Sequence, residues 1–337
     1  MNTMLAARYM GPNRIEPVEA AIPTIGCDEA LIEVESCGFC GSDLGIVAGA
    51  HPRARAPLTI GHEFCGRVVD IRGASGLIEP GMRVTSFPLI SCGACLACRS
   101  GNSHVCRTLR LFGFDADGGM AQFVKLPVAS LLALPAGMPP HIGALIEPLA
   151  VAVHGATRAP LEDARTVVVM GAGPIGLLTA LVLRRRGAGN LFISDVLPTR
   201  LERAALLGLT AIHAHDGLLD RVLEATDGDG ADIVFECTGA PPAAQQMTAL
   251  VRCRGTIVNL GVFKQPTPVD MQAVNFKEIT IAGSRVYTRQ DFEDAARMGP
   301  ELMLAELVTH SFPLTKVAEA FEKFRNADGA CKVIIDP

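Results

Sequence analysis

Thr166-Val-Val-Val-Met170-Gly171-Ala-Gly173-Pro174-Ile175-Gly176 decides the fold. Five apolar, mostly β-branched residues predict a strand buried on both faces. The glycines then break the chain, and an uncharged run to about Arg186 predicts a helix. Glycines spaced this way suit a loop that holds a dinucleotide. Gly171 makes the turn, Gly173 lets the pyrophosphate approach, and Gly176 packs the helix on the strand. The helix N-terminus then faces the phosphates. Alone the glycine pattern is weak. Here a second strand, Asn190 to Ser194, ends in Asp195 at the spacing of a ribose-binding carboxylate.

The alternation goes on downstream. Ile233–Cys237 and Thr256–Leu260 read as further strands, and strand ends line the ligand crevice of a doubly wound sheet. Cys237, Thr238 and Leu260, at those strand ends, therefore join Gly171, Gly173, Pro174, Ile175, Gly176, Asp195 and Arg200 as expected cofactor contacts, and Val286 is counted with them. Asp195 accepts from a ribose 2′-hydroxyl and repels a 2′-phosphate, which favours NAD over NADP. Arg200 argues the other way.

Upstream, Cys92-Gly-Ala-Cys95-Leu-Ala-Cys98, followed by Cys106, crowds four thiols into one loop. Four sulfurs close a tetrahedral zinc shell with no open position, which makes the site structural. An iron–sulfur cluster is the rival reading. A zinc-ribbon nucleic-acid module is disfavoured because the lobe lacks basic and aromatic surface. A second set is scattered: Cys37-Gly-Phe-Cys40-Gly-Ser42-Asp43, then Gly61-His62-Glu63, then Glu147-Pro148. Each part is ordinary by itself. Together they supply thiolate, imidazole and carboxylates, which suit zinc and leave room for substrate. Asp43 is the natural partner for the far imidazole nitrogen of His62.

With 337 residues, two domains are expected. The net charge of −5 offers no basic field for nucleic acid or anionic lipid. The mean hydropathy of +0.32 raises the question of a membrane span. The uncharged run Thr166 to Leu183 is broken by glycines and a proline, so a strand, turn and helix start is expected instead. Met1 to Arg14 has no apolar core for a signal peptide, and a cytoplasmic protein is expected. Eleven cysteines without a secretion signal do not predict a disulfide framework.

These motifs, in this order, resemble the zinc-containing medium-chain dehydrogenases almost end to end, and above all the sorbitol, threonine and butanediol dehydrogenase branch. The resemblance implies an α/β fold in which a Rossmann doubly wound parallel sheet is inserted into a β-rich GroES-like catalytic domain. The expected bounds are 1–152 with its zinc lobe at 92–106, then 153–283 for NAD, then 284–337 returning to the catalytic domain. It implies two zinc ions per chain and NAD, a small-molecule alcohol or diol substrate, and a homo-oligomer, dimer or tetramer. Cys40, His62 and either Glu63 or Glu147 would hold the catalytic zinc, with Cys37 a neighbour and Ser42 the proton-relay hydroxyl. Family members commonly carry a relay histidine where this chain has Gly45; water or His51 would replace it. Ile46 stands where the sorbitol branch has an aromatic residue, and Arg285 is displaced by one position. Both changes predict a more apolar cleft and a shorter diol or hydrophobic secondary alcohol, oxidised to a ketone. A zinc-free quinone or enone reductase would need neither cysteine-rich set. A zinc-dependent lyase-like enzyme would use the same metal with different leaving chemistry. A non-catalytic NAD-binding redox sensor would not need Cys40, His62 and Glu63.

Overall fold

The computed structural model describes residues 3–74, 76–327 and 329–337. The chain forms two compact units. One runs up to Glu147 and resumes at Thr288; the other is Pro148–Tyr287. The inserted unit therefore starts at 148, not 153, and ends at 287, not 283. Its first boundary falls inside the helix Ile146–Ala156, where no turn residue marks it in the sequence.

In the inserted unit, Thr166–Met170 is buried at every position and pairs in parallel with Asn190–Asp195 on one side and Ala231–Glu236 on the other. The six parallel strands run in space Thr210–His213, Asn190–Asp195, Thr166–Met170, Ala231–Glu236, Val251–Asn259, Thr280–Gly283. This is the doubly wound order, with the switch point beside the first strand. Gly171 turns the chain at φ +97°, and a Cβ on Gly176 would lie 1.7 Å from the Gly171 carbonyl oxygen. Only glycine at 176 lets the helix Pro174–Arg185 close on the strand. Proline at its first turn suits the fixed φ needed there. At its last turn Arg184 donates to the Leu207 carbonyl over 2.6 Å, at the C-terminal end of the helix Pro198–Leu206. Among the described residues no helix is long and apolar enough to cross a membrane.

The other unit is rich in antiparallel strands. Glu29–Gly38 is its hub and pairs with Glu63–Arg72, Phe123–Pro127 and Lys332–Asp336. Its inward positions alternate, as expected of a half-buried strand. The last strand thus returns to the first part of the chain, in the register Ile335 opposite Cys37. Phe39, fully buried, packs between Phe321 and Phe324 of the helix Val317–Asn326, with ring centroids 5.8 and 5.5 Å away. Burying such a ring is worth about 1.5–3 kcal/mol, which anchors the C-terminal segment here.

Candidate functional site

The register of the hub strand builds the first site. Gly38 lies opposite Glu63, so the end of one strand and the start of the next bring Cys40 and His62-Glu63 together. Cys40 caps the helix Gly41–Val47, and its N–H donates to Asp43 Oδ2 over 2.9 Å. Donor atoms of Cys40, His62 and Glu63 lie within 4.8 Å of one another. Glu147 is buried and its charge acts on His62, but it stands outside that set. Cys37 stays outside too. Burial, then the charges of Asp43 and Glu63, hold its thiol well above the usual range.

Burial opposes a charge on His62. The Cys40 sulfur, by charge and hydrogen bond, and then Glu147 and Asp43 outweigh it and push the imidazole up to about 10. The cluster thus attracts a cation, and a divalent metal fits its thiolate, imidazole and carboxylate. Asp43 itself is raised to about 6, chiefly by burial. The expected hydrogen bond from His62 to Asp43 is not made. His62 Nδ1 and Asp43 Oδ1 both lack a partner, and Asp43 spends its other oxygen on the Cys40 backbone. Its geometry therefore positions the cysteine rather than the imidazole.

Ser42 Oγ is buried without a partner, as suits a hydroxyl awaiting substrate or water. The loop after it folds back, with the N–H groups of Ala50 and His51 donating to the Gly45 carbonyl over 2.9 and 3.0 Å. His51 is half-buried rather than solvated, and its Nδ1 accepts from the N–H groups of Ala54 and Arg53 at 3.1 and 3.4 Å. Ile46 is fully enclosed in the core and does not line an apolar cleft. The apolar neighbour of these imidazoles is Phe114, whose ring centroid lies 4.9 Å from that of His62 and 5.0 Å from that of His51. Sequence reasoning missed Phe114, which follows the zinc lobe without any motif. It also missed Lys332, a buried lysine bonded to Glu63.

The four-cysteine loop closes on itself. Cys92, Cys95, Cys98 and Cys106 form one group, with Cys95 and Cys98 sulfurs 3.5 Å apart and Cys92 and Cys98 3.9 Å apart. Sulfurs on one tetrahedral zinc, each about 2.3 Å from it, stand about 3.8 Å from each other. The N–H groups of Ala94 and Cys95 draw the Cys92 thiol down to about 6. Burial and shared hydrogen bonds raise Cys98 to about 11. Four thiols this close suit a tetrahedral metal that takes thiolate sulfur.

The inserted unit holds the glycine loop. A Cβ on Gly173 would meet nothing nearer than Arg200 Nη1 at 3.9 Å, so space remains where a pyrophosphate would approach. Asp195 closes the strand Asn190–Asp195. Its Oδ2 accepts from the Ala172 N–H over 2.8 Å, and its Oδ1 from the Leu197 N–H over 3.0 Å. Cys237 and Thr238 follow the strand Ala231–Glu236, where the Glu236 carboxylate accepts from the N–H groups of Thr238 and Gly239. Leu260 follows the strand Val251–Asn259. Val286, a β-branched residue at φ +42°, holds a backbone conformation that such residues rarely adopt.

Residues 26–136 match the family model of the alcohol dehydrogenase GroES-like domain, and residues 174–299 that of zinc-binding dehydrogenases. The chain is 33% identical to L-galactonate-5-dehydrogenase of Escherichia coli K12, with 96% of each chain covered. It is 36% identical to sorbitol dehydrogenase of Halalkalibacterium halodurans, over 94% of this chain and 93% of the relative. A crystal structure described as a zinc-binding dehydrogenase from Sinorhizobium meliloti 1021, bound to NADP, superposes with a TM-score of 0.92 at 33% identity, covering both chains fully. The chain belongs to the zinc-type medium-chain alcohol dehydrogenase family: a GroES-like domain interrupted by a Rossmann sheet, with zinc and a nicotinamide cofactor as the family's tools.

Proposed function

We propose that this enzyme oxidises a small secondary alcohol, vicinal diol or polyol to a ketone and passes the hydride to NAD. The observation that carries the reading is the convergence of Cys40, His62 and Glu63 within 4.8 Å, on elements that also bury the unpartnered hydroxyl of Ser42. A zinc-free reductase of this fold has no use for that cluster, and a redox sensor none for the hydroxyl. When bound, zinc supplies Lewis acidity that makes a substrate hydroxyl easier to deprotonate, and NAD supplies the hydride acceptor.

Cys40, His62 and Glu63 hold the catalytic ion in this reading, with Cys92, Cys95, Cys98 and Cys106 holding a structural one. Ser42 Oγ takes the proton of the substrate hydroxyl and hands it to water beside Gly45. The carbinol C–H bond breaks with its electron pair, and the carbonyl bond forms as the hydride leaves. Phe114 covers His62, excludes water and offers an apolar surface to the carbon chain. That wall favours a short diol or hydrophobic secondary alcohol, whereas the relatives named for L-galactonate and sorbitol favour a polyhydroxylated chain. An alcohol panel with NAD at fixed pH separates the two. Turnover of no secondary alcohol would refute the proposal.

Self-association fits the sheet. Thr280–Gly283 is its terminal strand, and Ile281 on it is 42% exposed, so a second copy could pair along that edge. Sedimentation of wild type and Ile281→Lys checks this; a monomeric wild type would rule it out.

A further inference from the structure

Lys332 opens the last strand and is 2% exposed. Its ammonium donates to the Phe39 carbonyl over 2.9 Å and bonds Glu63 Oε2. Gly38 keeps the space open, since a Cβ there would fall 2.7 Å from Glu63 Oε2 and 3.6 Å from Lys332 Cδ. Stability does not explain a buried ion pair, because apolar replacements of equal volume are often as stable or more so. A functional demand does. The same carboxylate meets both this ammonium and the Cys40–His62 donor set.

We propose that Lys332 is a positioning residue for the catalytic metal, holding Glu63 by one oxygen and competing with the ion for its charge. The inference rests on the reading that Cys40, His62 and Glu63 bind zinc. The ammonium anchors the carboxylate to the Phe39 carbonyl and keeps it a weakened ligand. A weaker donor leaves the ion more electron-poor and better able to polarise substrate. A fixed positive charge beside a ligand also repels a dication, by an amount worth more than tenfold in affinity even at an effective dielectric near 20.

The test is zinc retained per chain after dialysis against graded dipicolinate, with the four-cysteine zinc as the reference within each sample. Lys332→Met should keep the second zinc against at least about tenfold more chelator, with a lowered kcat, while Lys332→Arg behaves as wild type. Equal or weaker retention in a natively folded Lys332→Met overturns the proposal. Should that variant fail to fold, Gly38→Ala decides, because its Cβ displaces the carboxylate from the ammonium without removing the lysine. It should also hold zinc more tightly, and wild-type retention there overturns the proposal. A wild type that carries only the four-cysteine zinc would instead overturn the reading beneath it.

Discussion

Arg200 Nη1 lies 3.3 Å from Asp195 Oδ2, so the carboxylate that would meet the cofactor ribose carries its own counter-ion. The repulsion between Asp195 and a 2′-phosphate, about 4 kcal/mol at 4 Å and an effective dielectric of 20, is thereby partly offset. A tenfold preference needs only about 1.4 kcal/mol of it. NAD should therefore still exceed NADP in kcat/KM by at least about tenfold. Asp195→Ala should narrow the gap, mainly by improving NADP, and Arg200→Ala should widen it. Equal kcat/KM for the two cofactors in wild type would contradict the role given to Asp195.

The Glu35 carboxylate gives a pH-dependent test of the fold. It accepts from Arg83 at 2.5 and 3.0 Å and from Arg67 at 2.9 Å, and the Arg83 bond first of all holds it below the usual carboxylate range. A lowered folded-state pKa contributes stability above the ordinary value of 4.5, and that stability fades as pH falls through the folded value. Glu35→Gln should cost roughly 0.5–1 kcal/mol at neutral pH. Thermal melts of the two proteins should converge below about pH 4.5, and a constant gap across that range would show that the charge is not responsible.

Removing one thiol from the four-cysteine loop should act on the fold. Cys95→Ser should lose one zinc per chain and melt several degrees lower, because structural zinc binding is coupled to folding. Elemental analysis settles the metal: iron with sulfide in this lobe would replace the zinc assignment.

Much of this was legible in the sequence, for physical reasons. The all-apolar run Val167–Val169 reads as a strand covered on both faces; glycine at 171 is required by its φ of +97°, and glycine at 176 by the approach of the Gly171 carbonyl. Thiol spacing carried the four-cysteine cluster, since four close cysteines have few geometries. What stayed hidden depends on contacts distant in sequence. Lys332 precedes Val-Ile-Ile and looks like the exposed start of a strand; only the pairing with Glu29–Gly38 carries it to Glu63. Phe114 came beside His62 through the same long-range folding, and Ile46 turned inward because its helix packs that face on the core. The domain boundary was missed because it lies within a continuous helix.

The outer proton path follows from the His51 hydrogen bonds. With Nδ1 accepting two backbone N–H groups, the neutral ring carries its proton on Nε2 and has no free nitrogen to act as a base. Burial first, and then Arg53, lowers its pKa and works against charging it. His51→Gln should thus change kcat by less than about threefold, whereas Ser42→Ala should lower it about 10²-fold. Profiles of kcat against pH for both variants test this. A large loss in His51→Gln rescued by added imidazole would make His51 the relay after all.

The central claim is that hydride transfer to NAD depends on a metal held at Cys40. The direct measurement is the rate of NAD reduction with a vicinal diol, for wild type and Cys40→Ser, with zinc counted in both. Cys40→Ser should stay folded, keep its four-cysteine zinc, and lose activity by at least about 10³-fold, as several kcal/mol of Lewis-acid stabilisation imply. A Cys40→Ser enzyme that reduces NAD at near the wild-type rate, or a wild type whose rate survives loss of that zinc, would contradict the account.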